Sequence, residues 1–150
     1  RGVPAYAIDP MQLAAGAKAV ADEVAAVMAW AAPLLSNGAV AVYATAPAAS
    51  VKSAQKALGA QRAGALVEAA LASVAQELVA LGVRQLIVAG GETSGAVVTA
   101  LNIDSLRIGP QIDPGVPWTV SLGGTPIALA LKSGNFGSAD FFSKAWELLP

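Results

Sequence analysis

The stretch RQLIVAG, Arg84 to Gly90, is a short apolar run that empties into the glycines of GGETSG and continues into helix-compatible sequence from Gly95 to Leu101. Strand, glycine turn and helix in that order are the grammar of an α/β sheet, and they constrain this chain more than its composition does. The preceding half has the same alternation. From Met11 to Leu35 the positions Leu13, Ala17, Val20, Val24, Val27, Met28 and Ala31 recur at helical spacing, with Lys18, Asp22 and Glu23 between them. Asn37-Gly38 stops this helix, and Ala39 to Ala44 reads as a buried strand. TAPAAS breaks it, and a helical tract follows from about Ser50 to Leu81, bent or broken near Gly59 or Gly64 and closed by Gly82. Its apolar stripe is Leu66, Ala70, Val74, Leu78 and Leu81.

Both ends of the chain differ in texture from this alternation. Pro4 and Pro10 make the opening extended or turning. Beyond Ile103 the spacing predicts strands near Leu106 to Ile108, Trp118 to Ser121 and Ile127 to Leu131, with the proline-rich GPQIDPGVPW as a polar loop between the first two. That loop reads equally as a turn that parks Trp118 on the core or as a ligand contact. A closing helix is expected from Ala139 to Leu149, with Ser138 as its N-cap and Asp140 near its positive end. The expected fold is therefore α/β: a three-layer sandwich, a mixed sheet flanked by helices, in a single domain. No internal repeat or low-complexity linker interrupts it.

Composition bounds the chemistry. At 150 residues one domain is the default, and a domain of this size buries roughly two-thirds of its unfolded surface. Nine Lys and Arg against ten Asp and Glu, at 13% charged residues, leave no electrostatic footprint for nucleic acid and no polybasic patch for a membrane. No uninterrupted apolar run reaches the roughly 18 residues of a bilayer span, so a soluble, cytoplasmic protein is expected. The chain has no Cys and no His, which removes thiolate nucleophiles, His-based acid–base catalysis and ordinary zinc or iron centres, and no metal-ligating set is expected in it. Its start at Arg1, without initiator Met, signal peptide or transit segment, reads as a piece of something longer.

Two glycine-bearing loops follow two apolar strands: GGETSG after Leu86 to Ala89 and KSGNFG after Ile127 to Leu131. Ligands of open α/β sheets sit outside the carboxyl ends of strands, so the two loops converge on one ligand if their strands are parallel neighbours. Loop N–H groups at a helix N-terminus hold anions, a phosphate being the usual guest. The hydroxyls of Thr93 and Ser94 and the charge of Lys132 could join them. Each feature has a plainer reading. Thr93 or Ser94 could simply cap the helix, Lys132 could be a surface residue at a strand end, and Asn135-Phe136 could be a turn with an apolar plug. Glu92 either points away as a partner of the helix dipole or helps hold hydrated Mg²⁺ beside a phosphate. Neither loop matches GxxxxGK[ST] or GxGxxG, which argues against the common NTPase and Rossmann classes. Gly91→Val is expected to abolish phosphate binding by blocking backbone approach and by resisting a positive φ.

VAGGETSGAVVTALNI, LRIGPQIDPGVPW and LALKSGNFGSADFF, in this order and spacing, resemble the C-terminal, nucleotide-binding domain of the four-carbon acid sugar kinase family. The family's enzymes are similar to 3-oxo-tetronate kinase and to D-threonate or D-erythronate kinase, and some members carry the older label of type III effector Hrp-dependent proteins. The resemblance runs from PAYAIDP to FFSKAWELL. It implies a two-domain kinase in which an N-terminal domain, absent from residues 1–150, binds the sugar acid and this domain binds ATP with Mg²⁺, phosphoryl transfer occurring across the cleft between them. It further implies that Gly91, Glu92, Thr93, Ser94 and Gly134 contact the ATP or ADP, with Gly90, Lys132 and Asn135 as neighbours. The family's upstream Ser-containing nucleotide motif has no equivalent before Val3, and the catalytic base is expected from the absent half. A homodimer is left open. The rival reading, suggested by the older label, is a non-catalytic effector or interaction module secreted by a type III system.

Overall fold

The computed structural model describes residues 2–44, 59–134 and 136–149. It is an α/β protein that divides into two compact units, Arg1–Leu81 and Gly82–Pro150. The expected α/β class with mixed sheet and flanking helices is borne out, and the strands are shared between two sheets.

In the first unit, strand β1 (Ala5–Ala7) pairs in parallel with β2 (Ala41–Tyr43), in the register Ala5 to Ala41 and Tyr6 to Val42. The connection is helical, as the periodicity of Met11 to Leu35 requires, but it is two helices rather than one. Asp9 caps α1 (Pro10–Leu13), its Oδ1 accepting the Met11 N–H at 2.9 Å, and Pro10 occupies the first turn where a missing N–H costs nothing. Gly16 then takes φ 105°, which no helix tolerates, and α2 runs from Ala17 to Ala31. Leu13, Val27 and Ala31 are buried, and Tyr6 meets Trp30 with ring centroids 5.4 Å apart.

Helix α3 (Ala60–Ala80) starts after its N-cap residue Gly59, where φ is 81°, and of the two expected break points Gly64 lies inside the helix. The part of that expectation covering Ser50 to Leu58, and the break at TAPAAS, lie outside the described residues. Ala70, Val74 and Leu78 are buried as the stripe predicts, whereas Leu81 is 56% exposed beyond the helix end. By length and composition alone Gln61–Ala80 could cross a bilayer. In the structure it packs against α1 and α2, with Ala70, Val74 and Leu78 buried.

The second unit carries the glycine loops. Its strands β3 (Gln85–Ala89), β4 (Leu106–Asp113), β5 (Val116–Ser121) and β6 (Ala128–Lys132) form a sheet in the order β3-β6-β5-β4. β6 lies between a parallel neighbour, β3, and an antiparallel one, β5. Helix α4 (Gly91–Ala100) packs on β3 and β6, and the closing helix α5 (Phe141–Glu147) packs near β4. One face of the sheet carries Ile112, Val116, Trp118 and Ala130, covered by Phe141 and Ala145. Trp118 sits directly opposite Ala130 in the register, large against small, and its indole Nε1–H donates to the Ala145 carbonyl at 2.8 Å. Buried hydroxyls are likewise satisfied. Thr119 Oγ1 donates to the Leu129 carbonyl at 2.8 Å, and Ser121 Oγ accepts the Ile127 N–H at 2.9 Å.

GPQIDPGVPW is not a loop. It forms most of a β-hairpin, β4 and β5 joined through Pro114-Gly115, with register shifts between Ile108 and Gln111 and between Gln111 and Asp113. β4 is an edge strand, where Pro110 removes no ladder bond that a neighbour needs, and the shifts accommodate the rest. Gly109 allows the close approach, since a Cβ there would lie 3.1 Å from the Trp118 carbonyl oxygen. Trp118 is fully buried, as the reading of this segment as one that parks Trp118 on the core expects. Trp118→Ala should therefore destabilise the chain by about 3–5 kcal/mol, read as a fall in the denaturant midpoint. A shift no larger than that of an exposed-site variant would refute this core.

Candidate functional site

The carboxyl ends of β3 and β6 lie side by side on one edge of the sheet, Ala89 opposite Lys132 in parallel register. Gly90 joins them and starts the next helix. Its N–H donates to the Lys132 carbonyl at 2.7 Å, and its own carbonyl accepts the Ser94 N–H at 2.8 Å, the first bond of α4. Gly90 does this at φ 119° and ψ 126°, a backbone region closed to other residues. A Cβ there would also stand 3.2 Å from Thr93 Oγ1.

The helix start is left open. The amides of Gly91, Glu92 and Thr93 precede the first helical hydrogen bond and so have no partner within α4. Among the described residues no side chain caps the helix, and Thr93 and Ser94 lie inside it, which sets aside their capping reading. Ser94 Oγ is buried and, among the described residues, has no hydrogen-bond partner. Glu92 is exposed in the first turn, where its charge complements the helix dipole. The positive φ expected at Gly91 belongs to Gly90: Gly91 is the first helical residue, and a Cβ on it would point toward Ser133 Cβ at 3.9 Å. The two glycine loops are therefore neighbours, as their parallel strands require.

The second loop begins at Lys132. The Lys132 ammonium donates to the carbonyls of Ser133 (3.3 Å) and Gly134 (3.4 Å), so it braces the loop that it opens rather than reaching out alone. Gly134 is exposed with open space at its α-carbon, and Asn135 lies outside the described residues. Phe136 N–H closes the turn onto the Ser133 carbonyl at 3.2 Å. The Phe136 ring rests against Gly115 at the tip of the β4–β5 hairpin, where a Cβ would come within 3.2 Å of it. Gly137, at φ 88°, lets the Lys132 stem and the Phe141 ring close in, contacts that a Cβ would bring to 2.9 and 3.0 Å.

The far end of this loop is tied down by a residue that the sequence reading left unassigned. Asp113, 5% exposed at the end of β4, accepts the Ser138 N–H (2.7 Å) and the Ser138 hydroxyl (2.8 Å) on Oδ2, and the Lys144 ammonium on Oδ1. The Ser138 hydroxyl also lies 2.5 Å from Asp140 Oδ1, and with one proton it serves the two carboxylates in turn. Ser138 is thus not the N-cap of the closing helix. Asp140 holds that position, and the Ser138 carbonyl accepts the Phe141 N–H at 3.1 Å. The Lys144 ammonium and the two Ser138 donors hold the Asp113 carboxyl down to about 2. The same contact raises Lys144, and the Ser138 hydroxyl lowers Asp140.

A separate groove of about 550 Å³ runs along α2 and α3, lined by Val20, Val24, Met28 and Ser73 among others. It lacks the converging donors that an anion site needs, and the glycine-loop edge remains the candidate.

The sheet edge thus sets the start of α4 beside a second glycine loop in an α/β protein. The family model described as a nucleotide-binding C-terminal domain matches residues 1–142, spanning both units, and the chain belongs to that family, the C-terminal domain of four-carbon acid sugar kinases. It is 57% identical over 142 residues to a 3-oxo-tetronate kinase of Pseudomonas fluorescens, covering 95% of this chain and 32% of that protein. To a 3-oxo-tetronate kinase of Cupriavidus necator it is 56% identical over 149 residues, covering 99% and 33%. Among solved structures it is similar to a candidate tRNA synthase of Salmonella typhimurium LT2, at TM-score 0.86, 36% identity and coverage of 98% of this chain and 35% of that one. A Haemophilus influenzae protein of family DUF1537 follows at TM-score 0.83 and 38% identity, covering 97% and 34%. The chain spans about a third of the length of the curated relatives it matches.

The Asp113 contacts set an acid-stability signature. Its carboxyl titrates at about 2 when folded, below the ordinary value of about 3.9 in the unfolded chain. Its contribution is therefore complete above about pH 4 and is lost as pH falls toward 2. In thermal melts from pH 6 to pH 2, Asp113→Asn should lie below the parent at pH 6 and converge with it near pH 2. A gap that stays constant across that range would contradict the assignment.

Proposed function

We propose that this chain is the ATP-binding half of a kinase that phosphorylates a hydroxyl of a four-carbon sugar acid of the 3-oxo-tetronate, threonate or erythronate type. The observation that carries the reading is the juxtaposition at one sheet edge of the uncapped start of α4 and the Lys132–Gly137 loop, tied by the Gly90 to Lys132 hydrogen bond. Gly91, Glu92 and Thr93 present three amides in a row that, among the described residues, have no partner within α4, the donor set that a polyphosphate satisfies. The orphaned Ser94 hydroxyl stands behind them. The curated relatives support the choice of reaction, since they are named kinases of 3-oxo-tetronate.

In this reading the backbone of Gly91 to Thr93 binds and orients the β- and γ-phosphates of ATP, and Gly134 lines the opposite side. Lys132 holds that side in shape and adds positive potential. Bound Mg²⁺ would neutralise phosphate charge during transfer. The sugar acid and the base that takes its proton are assigned to the two-thirds of the relatives' length outside this chain, in keeping with the absence of His. A bacterial cytoplasm, where ATP is supplied, is the setting of the same proposal.

Calorimetry of this chain with Mg-ADP and Mg-ATP is expected to show weak binding, and incubation with ATP and a four-carbon sugar acid to give no product. Gly91→Val places a branched side chain between the loops, its Cβ in ordinary contact with Ser133 Cβ at 3.9 Å. It should keep the fold while weakening nucleotide at least about tenfold. A folded Gly91→Val chain that binds as before would move the nucleotide elsewhere, and product formation by the parent chain would overturn the division of labour.

A further inference from the structure

We infer that Asp113 is a positioning residue for nucleotide binding: through Ser138 and Lys144 it pins the far end of the second glycine loop, so that Gly134 faces the start of α4. The inference rests on the nucleotide reading above and adds a part that neither glycine loop contains.

The second loop runs from Lys132 at the end of β6 to Ser138 before α5. Its near end is fixed by the sheet, since Lys132 pairs with Ala89 and its carbonyl takes the Gly90 N–H. Nothing comparable fixes a loop with glycines at 134 and 137 at its far end. Asp113 supplies that fixture. It is nearly fully buried at the end of an edge strand, and both its oxygens are spent on the loop and the helix after it: Ser138 N–H, Ser138 Oγ and the Lys144 ammonium.

A buried carboxylate is costly unless fully paired, and a purely structural clamp here could be apolar at lower cost. What an apolar residue could not do is capture the Ser138 amide and hydroxyl together and so set the loop's exit direction. The hairpin tip adds a second contact on the same loop, with the Phe136 ring on Gly115, two residues beyond Asp113. The hairpin thus grips the loop at Phe136 and at Ser138, while Lys132 braces its start. Gly134, the residue with open space at its α-carbon, lies between these supports.

The test compares the parent chain with Asp113→Ala, Ser138→Ala and Ser138→Thr, by calorimetry with Mg-ADP and by amide hydrogen exchange without nucleotide. Asp113→Ala is expected to raise the ADP dissociation constant about tenfold or more, and Ser138→Ala by roughly three- to tenfold. Ser138→Thr, which restores the hydroxyl, should return to within about twofold of the parent. Exchange at Phe136 and Ser138 should accelerate in the two alanine variants, while β3 and β6 keep their protection. Should Asp113→Ala be too unstable to assay, Ser138→Ala, which removes only a hydroxyl, carries the comparison with Ser138→Thr. Faster loop exchange with unchanged ADP affinity would overturn the positioning role, and so would unchanged exchange in folded variants. Failure of the parent chain to bind any nucleotide would instead sink the nucleotide reading itself, an outcome visible before any variant is made.

Discussion

Everything at the candidate site depends on the parallel pairing of β3 with β6. Their register sets Ala89 opposite Lys132, so both strands end at the same level, and the Gly90 N–H finds the Lys132 carbonyl as the first bond beyond the ladder. A slip by one residue would turn every side chain of one strand to the other face and carry its loop out of line. The register is held by what lies under it. Ala130 must face Trp118 from the neighbouring strand, where only a small side chain leaves room for the indole, and Thr119 and Leu129 are joined on the opposite face. A core interaction several residues from the edge thus decides where two glycine loops meet.

Within that frame the chain uses its few charges sparingly. The donors at the start of α4 are backbone amides, whose charge is the partial charge of a helix start and which titrate with nothing. Lys132 spends its ammonium on loop carbonyls. The ion pair of Lys18 with Asp22 is exposed on α2 and contributes little. Asp113 with Lys144 is different, because the carboxylate is buried and its partners lie on a loop and a helix that no ladder joins to β4. Such a pair is weak evidence of stability and better evidence of a geometry that has to be specified.

Much of this was legible before any coordinates. The apolar period of Val20, Val27 and Ala31 and the stripe of Ala70, Val74 and Leu78 placed the two long helices, and LIVAGG and LALKSG marked the strands whose ends matter. The adjacency of those ends was readable only as a condition, because strand order depends on non-local pairing that no local pattern encodes. Two failures have one cause. Gly16 divides a helix whose apolar period runs through it, and GPQIDPGVPW forms strands despite three prolines. In each case a residue's local preference was weighed without knowing its neighbours: the period hid a positive φ, and an edge strand with register shifts tolerated the prolines. The positive φ assigned to Gly91 was one residue off, since the strand-to-helix reversal is complete by Gly90.

Asp113 was invisible for a more basic reason. Its partners, Ser138 and Lys144, are 25 and 31 residues away, and by itself an Asp before Pro-Gly is an ordinary turn residue. Ser138 was misread for the complementary reason. A serine ahead of a helical period satisfies every local rule for an N-cap, and only the presence of a buried carboxylate within reach redirects its hydroxyl away from the helix. The hairpin that looked too long and too rigid for a connector is accounted for by this bond. It carries a carboxylate across to the second glycine loop, and its rigidity determines where that carboxylate ends up.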